Sequence, residues 1–451
     1  GRLKPRIAMD LQALYLRSRF WISDFMKGSP VRKQYNDIKY IDRHTKERCA
    51  PLIGQKLHKL LEYAQTHTDF YSRFDSFELR DYPVMNKLSL IQNMERIRVA
   101  PEKIPGQKGE VHIQRTSGST GVPLAIPQDT AKRQRRIAEL KYYGKAVGFT
   151  THEKLVHLRS WNKWQNKTSR QIRLENIIPF DISKFGPEEL ENLCRLLVEE
   201  KVVCIRGYAT TISNLAAYVR NSPEKWVFPH LKIVIAGGEA LYDDVRQMVK
   251  EYLHCEIISQ YADEECGILA QERVPTKEND NPMYFNHAGY VFEILKLESD
   301  EPAEWGEVGR IVITDLHNYA CPIIRYDCGD TCVLMPPDKY SKGYPVMAKL
   351  YGRRFDLTYS TDGKAVSPLT YGRILKNYDI ISQWQFVQLQ EKKYELRLTL
   401  KSEPAGQMAD LAAGLRNILG QDAELEIKEV RDIPVLSSGK RKPVMNEWKK
   451  N

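Results

Sequence analysis

Four short apolar runs, at 155–158, 202–205, 233–236 and 257–258, are each separated from the next by a stretch with helical spacing. The separating stretches are 187–201, where Leu190, Leu193, Cys194, Leu197 and Val198 share a face, then 211–220 and 243–253. Strands that alternate with helices can pair in parallel, because each crossover has a helix to carry the chain back across the sheet. Amphipathic spacing also marks helices over 52–66 and 132–144. From about Gly289 the pattern turns to a meander, with runs at 290–297, 309–314 and 323–326, as expected of a smaller β subdomain. A second break falls near 349–356, followed by short strands, a helix at 408–419, a strand at 423–430 and a basic polar end. The expected fold is therefore α/β: a large N-terminal body with parallel sheets and a β subdomain, plus a small C-terminal α+β domain. At 451 residues the chain has room for two or three cores of ordinary size.

A formal charge of +10 raises a nucleic-acid reading. Basic residues gather near the start (Arg17, Arg19, Lys27, Arg32, Lys33), over 132–136 and at the end (Lys440, Arg441, Lys442). No zinc-finger, homeodomain or RNP pattern accompanies them, and an anionic small molecule accounts for a positive field equally well, so no nucleic-acid partner is expected. No window approaches the roughly 18 apolar residues of a membrane span. The run 11–21 has helical apolar spacing with basic residues between, for which docking onto the body outweighs contact with a membrane surface. Eight cysteines without a C-x-x-C pair read as reduced thiols in a cytoplasm. The opening Gly1-Arg2-Leu3 has neither an initiator methionine nor signal-peptide character, which reads as a trimmed start.

The chemistry concentrates in five places. In Thr116-Ser117-Gly118-Ser119-Thr120-Gly121-Val122-Pro123, glycines allow a tight turn with N–H groups pointing inward, and the hydroxyls add donors for phosphate oxygens. Leu124 and Ala125 follow where a Walker loop would place its lysine, so this is another kind of loop, or an ordinary flexible turn. Gly237-Gly238-Glu239 follows the 233–236 run, where small residues let a flat ring or phosphate approach the backbone. Tyr261-Ala262-Asp263-Glu264-Glu265 leaves a strand end with an aromatic face and an acid placed to hold Mg²⁺ on a nucleotide, or forms a solvated turn. Arg325-Tyr326-Asp327-Cys328-Gly329-Asp330 puts acids in a turn where they can accept ribose hydroxyls. Pro434 to Lys440 ends in a lysine after a Ser-Ser-Gly loop, suited to meeting an anionic reacting centre.

Taken in order, these segments, with the Gly352-Arg353 pair, resemble the adenylate-forming superfamily of acyl-CoA synthetases, luciferases and peptide-synthetase adenylation domains. The lead-in over 57–64 and 82–87 resembles the branch containing phenylacetate-CoA ligase, coenzyme F390 synthetase and the CapK proteins. The resemblance implies an N-terminal adenylation domain over 1–349, a hinge at 350–356 and a mobile C-terminal domain over 357–451. It implies that Ser117, Gly118, Ser119, Thr120 and Gly121 wrap the β- and γ-phosphates of ATP, with Thr120 among the catalytic residues. Gly238, Glu239 and Tyr261 would line the adenine, Glu265 would hold Mg²⁺, Asp330 would bind the ribose, and Arg353 the ribose or phosphate. Lys440 would bridge the carboxylate substrate and the α-phosphate. Tyr208 and Gly237 would border the acid pocket, with core packing an equal reading of Tyr208; Trp161 and Trp164 could line it too.

The implied reaction joins a small carboxylic acid to AMP with loss of pyrophosphate, then passes the acyl group to coenzyme A. Phe355 stands where many relatives carry the hinge acid, so transfer to an amine, a hydroxyl or a carrier protein stays open, as does a catalytically silent nucleotide-binding scaffold. The cysteine and histidine spacing of the branch's zinc site is missing after Glu272, so no structural zinc is expected. A homodimer is left open.

Overall fold

The structure is a computed structural model that describes residues 10–116, 123–160, 167–277, 280–436 and 440–448. Its central sheet has seven strands in the order Ile177–Asp181, Leu155–Arg159, Cys204–Gly207, Ile233–Gly237, Glu256–Ala262, Ile268–Gln271, Tyr284–Phe285. The first five run parallel and the last two antiparallel. Helices Pro187–Glu199, Ala209–Asn221 and Asp243–Met248 make the crossovers, the last continuing as a π-turn over Val249–Leu253. Their apolar faces meet Val156, Ile205, Val234 and Ile257 in one core. The chain reverses its winding between Leu155–Arg159 and Cys204–Gly207. Above the carboxyl ends of such a switch point, an open α/β sheet leaves a crevice.

The strand Ile177–Asp181 is absent from the sequence-based expectation. It is the sheet edge and carries Pro179, a residue that an edge position tolerates and that disguises a strand in sequence. The meander forms a four-stranded antiparallel sheet of Tyr290–Lys296, Val308–Asp315, Tyr326–Met335 and Val346–Arg353. The run at 323–326 is not itself a strand: Arg325 has φ 50°, and regular pairing starts at Tyr326. Beyond it, Ile381–Gln390 and Lys393–Leu400 pair antiparallel, with Glu424–Glu429 and Val444–Asn446 added in parallel at the two edges. Helices Pro368–Leu375 and Gln407–Leu419 close a separate core around Phe386, Leu396, Leu411 and Leu415.

Helix Thr130–Ala146 lies where the sheets meet, and the basic cluster at 132–136 divides along its faces. Lys132 forms a fully buried pair with Asp315 at 2.7 Å, and Arg135 reaches Asp37 at 2.6 Å and the carbonyl of Ala288 at 2.7 Å. Arg133 and Arg136 face the crevice instead. Half of this cluster is therefore internal bracing rather than surface field. Helix Leu11–Met26 docks through Ala13, Phe20 and Trp21, with the Arg32 guanidinium 3.6 Å from the Trp21 ring, but Leu11, Tyr15, Ile22, Phe25 and Met26 stay exposed. Among the described residues no helix is long and apolar enough to cross a membrane. All eight cysteines are free and buried.

Candidate active site

A cleft of about 2690 Å³ runs along the carboxyl ends of the parallel strands and under the C-terminal sheet. Its volume exceeds the ~300–1,000 Å³ of a single small-ligand pocket, leaving room for a nucleotide and a second substrate together.

The hairpin His112–Arg115 and Ala125–Gln128 projects toward the cleft, and its base is closed by Thr116. The Leu124 amide donates to the Thr116 hydroxyl and the Thr116 amide to the Leu124 carbonyl, both at 2.9 Å. Ser117, Gly118, Ser119, Thr120 and Gly121 lie outside the described residues, as do Trp161 and Trp164.

The three acids after Tyr261 have three different employments. The inner oxygen of Asp263 accepts the Cys266 amide at 2.7 Å and the Gly267 amide at 3.3 Å, so it shapes the turn. Glu264 accepts from the Gln114 side chain at 2.6 Å, tying the turn to the hairpin. Glu265 accepts the Tyr326 hydroxyl at 3.0 Å and lines the cleft. Partial burial pushes its carboxyl up, partly offset by the Tyr326 hydroxyl, and Asp330 adds to the rise. Such an acid fits a nucleotide-bound Mg²⁺, which typically takes one or two carboxylates and completes its shell with phosphate oxygens and water.

Asp330 sits within the strand Tyr326–Met335, not in a turn. It accepts the Tyr261 hydroxyl at 2.7 Å and lies 3.4 Å from Arg353, which also donates to the Cys328 carbonyl at 2.8 Å. These three expected nucleotide residues therefore touch one another. Asp327 faces elsewhere, paired with Arg310 at 3.0 Å.

The Gly-Gly-Glu turn puts Glu239 in the lining of the cleft. Its carboxylate accepts the Thr210 amide at 2.8 Å and the Arg441 amide at 2.7 Å, so it staples the start of helix Ala209–Asn221 to the segment carrying Lys440. Gly238 has φ 74°, and a Cβ there would stand 3.0 Å from the Tyr208 ring and 3.1 Å from Lys440 Cε. The Lys440 ammonium lies 5.5 Å from the Tyr208 ring centre. Tyr208 and Gly237 both line the cleft, and Gly238, Tyr208 and Lys440 converge on one spot within it. Gly238→Ala should cost about 1 kcal/mol in stability from the left-handed backbone alone, checked by denaturant melts, and should displace Lys440 as well.

Four contacts were not legible from the motifs. Lys442 pairs with Asp356 at 2.8 Å, linking the segment after Lys440 to the one after Arg353. Gly372 packs so closely on Tyr242 that a Cβ would run into the ring, and Tyr242 stacks edge-on with Trp384 at 5.7 Å. Arg206, on the sheet's inner face, donates to Gln260 at 3.0 Å.

This architecture is the fold of several solved CoA ligases. The structure of 2-hydroxyisobutyryl-CoA ligase in the postadenylation state with 2-HIB-AMP matches at 19% identity over 90% of this chain and 91% of that one, with a TM-score of 0.72. The same ligase with 2-HIB-AMP and CoA in the thioesterification state matches at 16% identity over 90% and 91%, with a TM-score of 0.57. ATP-bound MatB from Rhodopseudomonas palustris matches at 15% identity over 72% of this chain and 65% of that one, with a TM-score of 0.55. Residues 358–447 match the model of the CapK C-terminal domain. No curated protein sequence matches the chain.

Proposed function

We propose that the protein is an AMP-forming acid ligase that activates a carboxylic acid as its adenylate, releases pyrophosphate and transfers the acyl group to coenzyme A. The observation that carries this is the position of Lys440. It reaches from the C-terminal segment onto Gly238 and Tyr208, in the cleft that also holds Glu265, Tyr261, Asp330 and Arg353. A carboxylate oxygen attacks the α-phosphorus of ATP, and the bond to the bridging oxygen breaks as pyrophosphate leaves with the electron pair. Two anions must approach, so the catalytic task is charge neutralisation and alignment. Lys440 supplies a cation at the meeting point. The Asp330–Tyr261–Arg353 group holds the ribose end, and the 117–121 loop the β- and γ-phosphates. Glu265 would hold the Mg²⁺ that screens the phosphates.

The difference in TM-score at equal coverage, 0.72 against 0.57, supports reading this arrangement as the adenylate-forming one. A hinge at 350–356 would turn the 357–451 unit away before a thiol attacks the acyl carbon and AMP leaves. Gly372→Ala tests that hinge. Overpacking of this kind costs about 1–3 kcal/mol, so the Lys440-inserted arrangement should be populated roughly tenfold less, lowering adenylation while thioester formation from preformed adenylate is unchanged. Phe355 is 66% exposed beside the Asp356–Lys442 pair. An amine, hydroxyl or carrier-protein acceptor is the second reading, and products formed with and without coenzyme A separate the two. The primary test is carboxylate-dependent exchange of pyrophosphate into ATP over a broad acid panel; no exchange with any acid would refute the ligase.

A further inference from the structure

We infer that the acid this cleft accepts carries a second anionic group, a carboxylate or a phosphate ester, and that Arg206 is the residue that reads it. The inference rests on the ligase reading for the role of the first carboxylate.

Arg206 lies on strand Cys204–Gly207, paired in register with His157 across the switch point of the sheet. It is two residues before Tyr208, and Tyr208 contacts the Lys440 position. Arg206, His157 and Arg159 all line the same wall of the cleft. The only partner of the Arg206 guanidinium among the described residues is a neutral amide oxygen, that of Gln260. That amide cannot turn over. Gln260 Nε2 donates to Gln271 Oε1 at 2.7 Å, and Gln271 Nε2 in turn donates to the Tyr143 carbonyl at 3.0 Å, so the Gln260 oxygen is held toward the guanidinium. The relay fixes Arg206 in position without neutralising it.

Among the described residues no acid offsets this charge. Enclosure pushes the Arg206 guanidinium down, and no carboxylate acts on it. His157 is held well below the usual imidazole range by burial, with Arg206, Arg159 and Lys167 adding to the effect, and so faces the cleft neutral. Of the cleft's carboxylates, Asp330 bonds Tyr261 and Glu239 is already bonded to two backbone amides, and no carboxylate is a hydrogen-bond partner of Arg206 among the described residues. An enclosed guanidinium costs free energy unless an anion meets it, and its planar fork suits a carboxylate or phosphate. A monoacid bound through its reacting carboxylate to Lys440 leaves Arg206 unmet. A diacid satisfies both.

The test pairs pyrophosphate exchange with direct binding by calorimetry in the presence of a non-hydrolysable ATP analogue. Probes are straight-chain and aromatic diacids, their monoacid counterparts of equal length, and phosphorylated hydroxy acids. The expected result is tighter binding and higher kcat/KM for one doubly anionic class. Arg206→Gln should lose roughly 10²-fold of that preference, Arg206→Lys should retain part of it, and KM for ATP should be unchanged in both. Thermal melts with the ATP analogue confirm that the variants fold. Whether carboxylate or phosphate is read follows from which class loses most. Monoacids preferred and indifferent to Arg206→Gln would overturn the inference, as would a raised KM for ATP with acid preference intact. Absence of exchange with diacid binding still dependent on Arg206 would instead refute the ligase reading and leave this site standing.

Discussion

Lys440→Ala is expected to lower adenylate formation roughly 10²- to 10³-fold, as when an enzyme loses one preorganised donor at a developing charge. ATP binding should stay within about twofold, because the lysine meets the nucleotide chiefly as the carboxylate arrives, so the loss falls on kcat rather than on ground-state affinity. The Leu436 amide bonds the Lys440 carbonyl at 2.8 Å, the next amide, Arg441, bonds Glu239 at 2.7 Å, and the Lys440 side chain lies against Gly238. Pyrophosphate exchange gives the adenylation rate and calorimetry gives ATP affinity. Thioester formation from synthetic adenylate should be nearly unaffected, since the charge that Lys440 offsets has already left. Exchange at the wild-type rate would remove Lys440 from the mechanism. Glu239→Gln offers a graded version: its one amide oxygen can accept from only one of Thr210 and Arg441, so one arm of the staple is lost and exchange should fall by less.

Most of the architecture is legible in the sequence because it depends on local periodicity. The crossover helices and four of the five parallel strands announce themselves by spacing, and the C-terminal helix Gln407–Leu419 was expected within a residue of its start. What periodicity misreads is burial without regular pairing. Ile323 and Ile324 are fully buried and look like a strand, yet Arg325 leaves the extended region to reach Glu293 and the Tyr82 carbonyl, and the strand begins only after it. The site divides in the same way. Motifs mark which loops reach the cleft, because glycines and hydroxyls have their effects within a few residues. Pairings between loops are invisible until the fold closes: Glu239 and Arg441 are 202 residues apart, and Tyr261 and Asp330 are 69 apart. A row of three acids likewise gives no sign in sequence of which one turns inward.

That sorting of the acids carries the second large effect. Glu265→Gln should lower adenylation by roughly 10²-fold and raise the Mg²⁺ concentration needed for half-maximal rate. The amide preserves volume and can still accept the Tyr326 hydroxyl, so the fold and its melting temperature should change little; only the charge is removed. Asp263→Asn should behave differently. One Asp263 oxygen bonds both turn amides, a role the asparagine oxygen keeps, and the other is buried with no hydrogen-bond partner among the described residues, so the metal response should not move. Glu264→Gln should be mild in both respects, since the new amide oxygen can still accept from the Gln114 side chain. A Mg²⁺ titration of the exchange rate across these three variants assigns the metal acid directly. A shifted titration in Asp263→Asn with none in Glu265→Gln would transfer the role to Asp263. Equal shifts in all three would mean that the cluster acts through its summed field, with no single carboxylate as ligand.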